Sequence, residues 1–176
     1  MPGSRRLLMH IVVMGVSGTG KTTVAVQLAE ELGCQFIEGD DLHPSRNIAK
    51  MKAGTPLTDE DRWPWLQAIA EMVAVRDFEG TSTVVTCSAL KRSYRDTLRA
   101  QASDLALVYL RGTPQLLAQR MAGRQGHYMP PSLLASQLAT LEPPQDDEHA
   151  LTLDVAHDPQ QLVHETLAWL GRSHAA

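Results

Sequence analysis

Ile11-Val12-Val13-Met14-Gly15-Val16-Ser17-Gly18-Thr19-Gly20-Lys21-Thr22 is the stretch that decides how this chain folds. Residues 15–22 match G-x-x-x-x-G-K-[ST] at every position. The apolar, β-branched residues before it predict a buried strand. Thr23-Val24-Ala25-Val26-Gln27-Leu28-Ala29-Glu30-Glu31-Leu32 has helical spacing and stops at Gly33, a C-cap signal. Strand, glycine loop and helix therefore follow in the order a phosphate cradle requires. Glycines let the backbone N–H groups turn inward around a polyphosphate, and the helix N-terminus adds partial positive charge. Lys21 is placed to reach the β- and γ-phosphates, and the Thr22 hydroxyl to hold Mg²⁺. Gly15, Val16, Ser17, Gly18, Thr19, Gly20, Lys21, Thr22 and Thr23 form the candidate nucleotide-binding set. A glycine turn that binds nothing would leave the Lys-Thr pair and both flanking elements unexplained.

The rest of the composition narrows the class. A chain of 176 residues, 43% hydrophobic, is sized for one globular domain, residues 1–176. A net charge of −4 argues against a general binder of nucleic acid or of anionic membranes. Two cysteines, Cys34 and Cys87, make no disulfide framework and read as buried free thiols of a reducing, cytoplasmic setting. Met1-Pro-Gly-Ser-Arg-Arg-Leu-Leu-Met-His10 mimics the start of a signal peptide, but the apolar run that follows is the strand before the glycine loop. No stretch is long enough to span a bilayer. The oligomeric state is not written in the sequence, and a homodimer is one option.

Beyond the loop, strands and helices alternate. Gln35–Glu38 predicts a second strand and Thr83–Cys87 a third, with Leu105–Leu110 and Leu151–Val155 as the fourth and fifth. Pro44 predicts the first residue of a helix running to about Ala53. Thr58-Asp-Glu-Asp61 predicts a capped helix start, with Pro64 marking either a later start or a kink, and an apolar stripe to about Val75. Leu90, Tyr94 and Leu98 mark one face of the next helix. Thr113-Pro114 opens another, Ser132–Leu141 a further one, and Pro159–Leu170 closes the chain ahead of a frayed tail from Ser173. The pattern predicts an α/β fold, a five-stranded parallel sheet covered on both faces. Ligands of such sheets bind beyond the carboxyl ends of the strands.

Those ends carry a polar set. Asp40 follows the second strand and faces the phosphate loop, placed either to hold Mg²⁺ through water or to accept a hydroxyl proton; the bland alternative is a helix cap. His43 can bond an acceptor hydroxyl or serve a structural role. Ser88, Lys91, Arg92 and Arg95 follow the third strand. Arg46 and Lys50 lie four apart on one helix, as do Lys91 and Arg95 on another. A basic cluster against an acidic background suggests an anionic acceptor, although charge runs are usually solvated faces. Arg120 and Arg124, with Gly123, Gly126 and His127, suggest a lid carrying positive charge to a transferring phosphoryl group. Asp146-Asp147-Glu148, after Pro143-Pro144, reads as a solvated loop.

With these residues in view, the chain resembles the small P-loop gluconokinases, relatives of shikimate kinase and the nucleoside monophosphate kinases. The resemblance covers nearly the whole chain. It rests on Met14–Thr22, Gly39-Asp-Asp-Leu-His-Pro44, Asn47-Ile-Ala-Lys-Met51, Gly54–Arg62 with Pro64-Trp65-Leu66, Cys87–Arg92 with Tyr94-Arg95-Asp96, Arg124-Gln-Gly-His127, Ser136-Gln137 and Leu141-Glu142. Small departures are Thr19 and Thr22 where the family often has serine, Asp41 at a variable position, and Tyr128 where phenylalanine is usual. It implies a P-loop NTPase three-layer fold with an acceptor-binding insert at about 40–66 and a small helical lid at about 122–140. It also implies ATP- and Mg²⁺-dependent phosphorylation of D-gluconate at its 6-hydroxyl, in carbohydrate acid catabolism. Lys21, Asp40 and Arg124 become catalytic candidates, and Thr22 the metal ligand. Arg120 falls near adenine or phosphate. Asp40, His43, Lys50, Arg62, Ser88, Lys91, Arg92, Arg95 and His127 become candidates for the acceptor, with Arg62, Lys91 or Arg92 on its carboxylate. Rival readings are a shikimate or other small-acid kinase, and a non-catalytic nucleotide-binding module. A GTPase-like switch lacks its guanine-reading Asn-Lys-x-Asp, since Asn47-Ile-Ala-Lys50 does not supply it.

Overall fold

β1 (His10–Met14) is buried along its whole length. It pairs in parallel with β3 (Thr83–Thr86) on one side and β4 (Leu105–Arg111) on the other. β2 (Gln35–Glu38) and β5 (Ala150–Asp154) form the edges, giving the order β2-β3-β1-β4-β5, all parallel. Cover on both faces explains why β1 and β4 read as continuous apolar runs, not as alternating strands. The computed structural model describes residues 7–102, 104–124 and 130–175.

The helices are α1 (Lys21–Leu32), α2 (Ser45–Lys52), α3 (Asp59–Phe78), α4 (Arg92–Arg99), α5 (Pro114–Ala122), α6 (Leu133–Thr140) and α7 (Pro159–Ala175). A 3₁₀ turn spans Gly39–Leu42. The crossover from β1 to β2 runs toward one edge and the later crossovers run the other way. Right-handed connections therefore send α1 to one face and α3 and α4 to the opposite face. The packing agrees, with α1 against α7 and α3 against α4. The core holds Ile11, Val13, Leu28, Leu66, Ile69, Val85, Leu107 and Leu117, all buried.

Several boundaries differ from the sequence expectation, each for a local reason. Pro44 is the N-cap of α2 and not its first helical residue; its ψ of 151° is extended. α3 starts at Asp59, because Thr58 and Asp61 form a reciprocal capping box. Pro64 therefore sits inside a continuous helix, forfeiting one backbone bond. α7 continues through the expected frayed tail to Ala175, with Leu162, Val163 and Leu170 buried along it. Cys87 is buried as expected, but Cys34, just past the C-cap glycine of α1, is only partly buried.

Candidate active site

The phosphate loop bends back between β1 and α1. Gly15 adopts φ +147°, and a Cβ there would stand 2.7 Å from the Leu110 carbonyl oxygen, so only glycine fits. Thr19 Oγ1 donates to the Val16 carbonyl at 2.9 Å, and Lys21 Nζ donates to the carbonyls of Gly15 and Val16 at 3.0 Å each. Desolvation lowers the Lys21 pKa, with Asp40 the main charge opposing it. Thr22 Oγ1 donates to Glu38 Oε2 at 2.7 Å. Glu38 Oε1 in turn accepts from Thr86 Oγ1 at 2.5 Å. Glu38, which is not among the residues singled out from sequence, is thus joined to the candidate metal ligand. The available signal was an acid at the carboxyl end of β2, one residue before the Gly39-Asp40 pair. A cavity of about 930 Å³ opens over the loop, lined by Ser17, Gly18, Lys21, Thr22, Thr23, Glu38, Asp40 and Arg124, among others.

Asp40 also lines a second cleft, with Ser17, Lys21, His43, Arg62, Trp65, Ser88 and Leu90 on its walls. α6 contributes Leu133, Ser136 and Gln137 to the same cleft. The peptide before Asp40 is pinned from two sides. A Cβ on Gly39 would stand 1.9 Å from the Thr86 carbonyl oxygen, while the Gly39 carbonyl accepts from Trp65 Nε1 at 2.8 Å. His43 stacks on Trp65, ring centroids 4.1 Å apart and planes 14° from parallel. Burial, assisted by Arg62, drives the His43 pKa down to about 4, so the ring is neutral at physiological pH. Arg62 is buried in the wall of the same cleft and donates to Tyr94 Oη at 3.1 Å. Tyr94 Oη donates onward to Asp59.

Four of the cations assigned to the acceptor from sequence do not line this cleft. Lys50 pairs with Asp61 at 2.7 Å and Lys91 with Asp59 at 3.1 Å, both acids of the α3 cap. Arg92 makes a two-pronged pair with Asp147 at 2.8 and 2.6 Å and also reaches Gln145. Arg95, fully buried, donates to Glu148 at 2.7 and 3.0 Å and to the Ala89 carbonyl at 2.9 Å. The acidic stretch 146–148 is therefore not simply a solvated loop. Glu148 is 3% exposed and held by Arg95 and Arg99. Burial pushes its pKa up, but hydrogen bonds from Arg95, the Gln145 N–H and Arg99 prevail and bring it to about 2. The basic cluster seen in sequence is largely a set of internal ion pairs, invisible until the fold brings the start of α3 and residues 147–148 against it.

Arg124 is exposed and lines the phosphate cavity, whereas Arg120 donates to the Val155 carbonyl at 2.7 Å, just beyond β5. Gly123 ends α5 at φ −81°, a conformation open to any residue, so it needs no glycine. Gly126, His127 and Tyr128 lie outside the described residues. α6 touches the phosphate loop directly: Gln137 Oε1 accepts from the Ser17 N–H at 2.7 Å.

A phosphate loop and a second polar cleft that meet at one carboxylate define the class: this is a P-loop kinase. Residues 11–144 match the family described as an AAA domain. The chain belongs to the gluconokinase family. It is 49% identical over 157 residues to the gluconokinase of Gluconobacter oxydans, covering 89% of this chain and 88% of that one. It is 41% identical over 160 residues to the thermoresistant gluconokinase of Escherichia coli, covering 90% and 91%. The crystal structure of a gluconokinase from Sinorhizobium meliloti superposes with a TM-score of 0.85 at 54% identity, covering 95% of this chain and 94% of that one. An APS kinase from Mycobacterium tuberculosis shares the fold at a TM-score of 0.69 and 17% identity, covering 93% and 98%.

Proposed function

We propose that this enzyme transfers the γ-phosphoryl group of MgATP to the 6-hydroxyl of D-gluconate, forming 6-phospho-D-gluconate. The observation that carries the reading is the position of Asp40 on the walls of both the phosphate cavity and the second cleft. An acceptor hydroxyl placed there faces a carboxylate on one side and the phosphate loop on the other.

The residues present fit MgATP. Thr22 and Glu38 offer hard oxygen donors 2.7 Å apart beside Lys21. Among the described residues, no group of three His, Cys, Asp or Glu is placed to hold a metal alone. Mg²⁺ is accordingly assigned to Thr22, to Glu38 through water, and to the nucleotide's own phosphates, its usual mode. When bound, MgATP supplies the phosphoryl group and offsets its charge. Asp40 orients the acceptor hydroxyl and takes its proton late, because a loose transition state demands little base strength. Lys21 and Arg124 place positive charge around the transferring group. Arg62, the one sequence-derived acceptor cation that lines the cleft among the described residues, holds the carboxylate at the other end of the acceptor. The α6 residues close the cleft against water, which limits futile hydrolysis. Arg120 is assigned to the adenine end, beside the turn after β5. The enzyme is assigned to the cytoplasm; among the described residues no helix is long and apolar enough to cross a membrane.

A coupled ADP-release assay with MgATP tests this against D-gluconate, shikimate, glucose, glycerate and nucleoside monophosphates. Gluconate is expected to stand far above the background without acceptor. Turnover on a different acid would reassign the cleft, and no acceptor-dependent turnover would leave a nucleotide-binding module.

A further inference from the structure

Asn47 is fully buried, and its two amide atoms are treated very differently. Nδ2 lies 2.8 Å from the Asp61 carbonyl oxygen and 3.2 Å from His43 Nδ1, whereas Oδ1 is buried with no hydrogen-bond partner among the described residues. A backbone carbonyl can only accept, so the atom facing Asp61 must be the amide nitrogen. Its second hydrogen then points at His43 Nδ1, which must accept it. A neutral imidazole that accepts at Nδ1 carries its proton on Nε2. That Nε2–H lies 3.9 Å from Asp40 Oδ1, too far for a direct hydrogen bond. An oxygen about 2.8 Å from each atom closes a triangle on that base.

We propose that Asn47 is a positioning residue that locks His43 as the neutral Nε2–H tautomer. It thereby pairs a fixed donor with the acceptor Asp40, which lines the same cleft. The pair reads an alcohol, the group that accepts and donates through one atom; a carbonyl oxygen at that place would face Asp40 with no proton to give. The orphaned Oδ1 fits this role, since the side-chain contacts of Asn47 are the two made by its nitrogen. Trp65 stacked on the ring keeps it from rotating. This deepens the assignment of His43 and Asp40 to the acceptor and rests on that reading.

The test reads the tautomer directly. Long-range ¹H–¹⁵N correlation spectra of protein labelled at histidine nitrogens distinguish protonated from bare ring nitrogens, and His43→Gln assigns the signal among the seven histidines. The expected result in the native enzyme at pH 7 is a bare Nδ1 and a protonated Nε2. Asn47→Asp replaces the donor by an acceptor. It is expected to move the proton to Nδ1 and to lower kcat/KM for the acceptor at least about tenfold, leaving KM for MgATP within about twofold. A native spectrum with the proton on Nδ1, or a doubly protonated ring, overturns the proposal, and so does an Asn47→Asp enzyme whose tautomer has switched with acceptor kinetics unchanged. If Asn47→Asp does not fold, the native spectrum still decides. The spectrum does not depend on which acceptor is turned over, so a failed gluconate assignment and a failed tautomer lock give different results.

Discussion

Glu148→Gln isolates a buried charge that supports the acceptor cleft from behind. The Glu148 side chain is fully enclosed, as is that of Arg95, and Arg99 approaches the same carboxylate. Removing the negative charge leaves Arg95 buried without compensation, which costs about 3 kcal/mol at the lower end of the range for a broken buried pair. The pKa gives a similar figure: a fall from 4.5 to about 2 corresponds to roughly 3 kcal/mol at neutral pH. The folded carboxyl titrates below its unfolded value, so this stability is present in full above pH 4.5 and is lost as pH falls toward 2. Urea unfolding at pH 7 should show the full deficit, and the melting temperature should drop by roughly 6–12 °C. The gap between native and variant should then narrow as the pH is lowered below 4.5. His43, with its folded pKa near 4, also erodes stability as pH falls below 6.5, but equally in both proteins, so it cancels in the difference. Arg95 also holds the carbonyl of Ala89, which sits at φ +47° between Ser88 and Leu90 of the cleft wall. KM for the acceptor should therefore rise with KM for MgATP unchanged. A stability deficit below about 1 kcal/mol, or one independent of pH, would refute the account of Glu148 as a buried counter-ion.

Lys21→Ala should lower kcat at least about a hundredfold with an unchanged melting temperature, and near-normal turnover would remove the phosphate-loop assignment. Asp40→Asn is expected to cost about 10²–10⁴ in kcat with little change in KM for MgATP, measured under saturating acceptor. Arg62→Met should raise KM for gluconate by about 10–100-fold; an unchanged value would place the carboxylate elsewhere. Glu38→Gln should raise the Mg²⁺ concentration for half-maximal rate by about tenfold or more, read from a magnesium titration at fixed ATP.

The elements legible in sequence were those whose signals are local. The loop Gly15–Thr22 carries its own geometry in its glycines, and β1 and β4 announce burial on both faces by unbroken apolar runs. Asp40 could be placed because the carboxyl ends of parallel strands converge. The basic residues were harder. Lys50, Lys91, Arg92 and Arg95 look like an anion site in one dimension, but their partners, Asp61, Asp59, Asp147 and Glu148, lie 11 to 55 residues away. Charge pairing over such separations is set by tertiary packing, and no periodicity encodes it. Glu38 ends β2 beside Asp40, and only the folded chain sets it against Thr22. Pro64 shows local signals in conflict, with the capping box at Thr58 and Asp61 prevailing over the helix-breaking ring.

The position of β1 also shapes how the chain is assembled during synthesis. The phosphate loop is made well before β3 and β4, the two strands between which its anchoring strand β1 lies. His10 pairs with Thr83 and with Leu105. At 5–20 residues per second, the wait between making the first of these residues and the last is roughly 5–20 s. Until β3 is made the apolar run Ile11–Met14 has no partner, and until β4 is made one side of it stays open to chaperones and to misassociation. The nucleotide site is therefore encoded early and completed late, and nascent chains halted before residue 105 are expected to lack it.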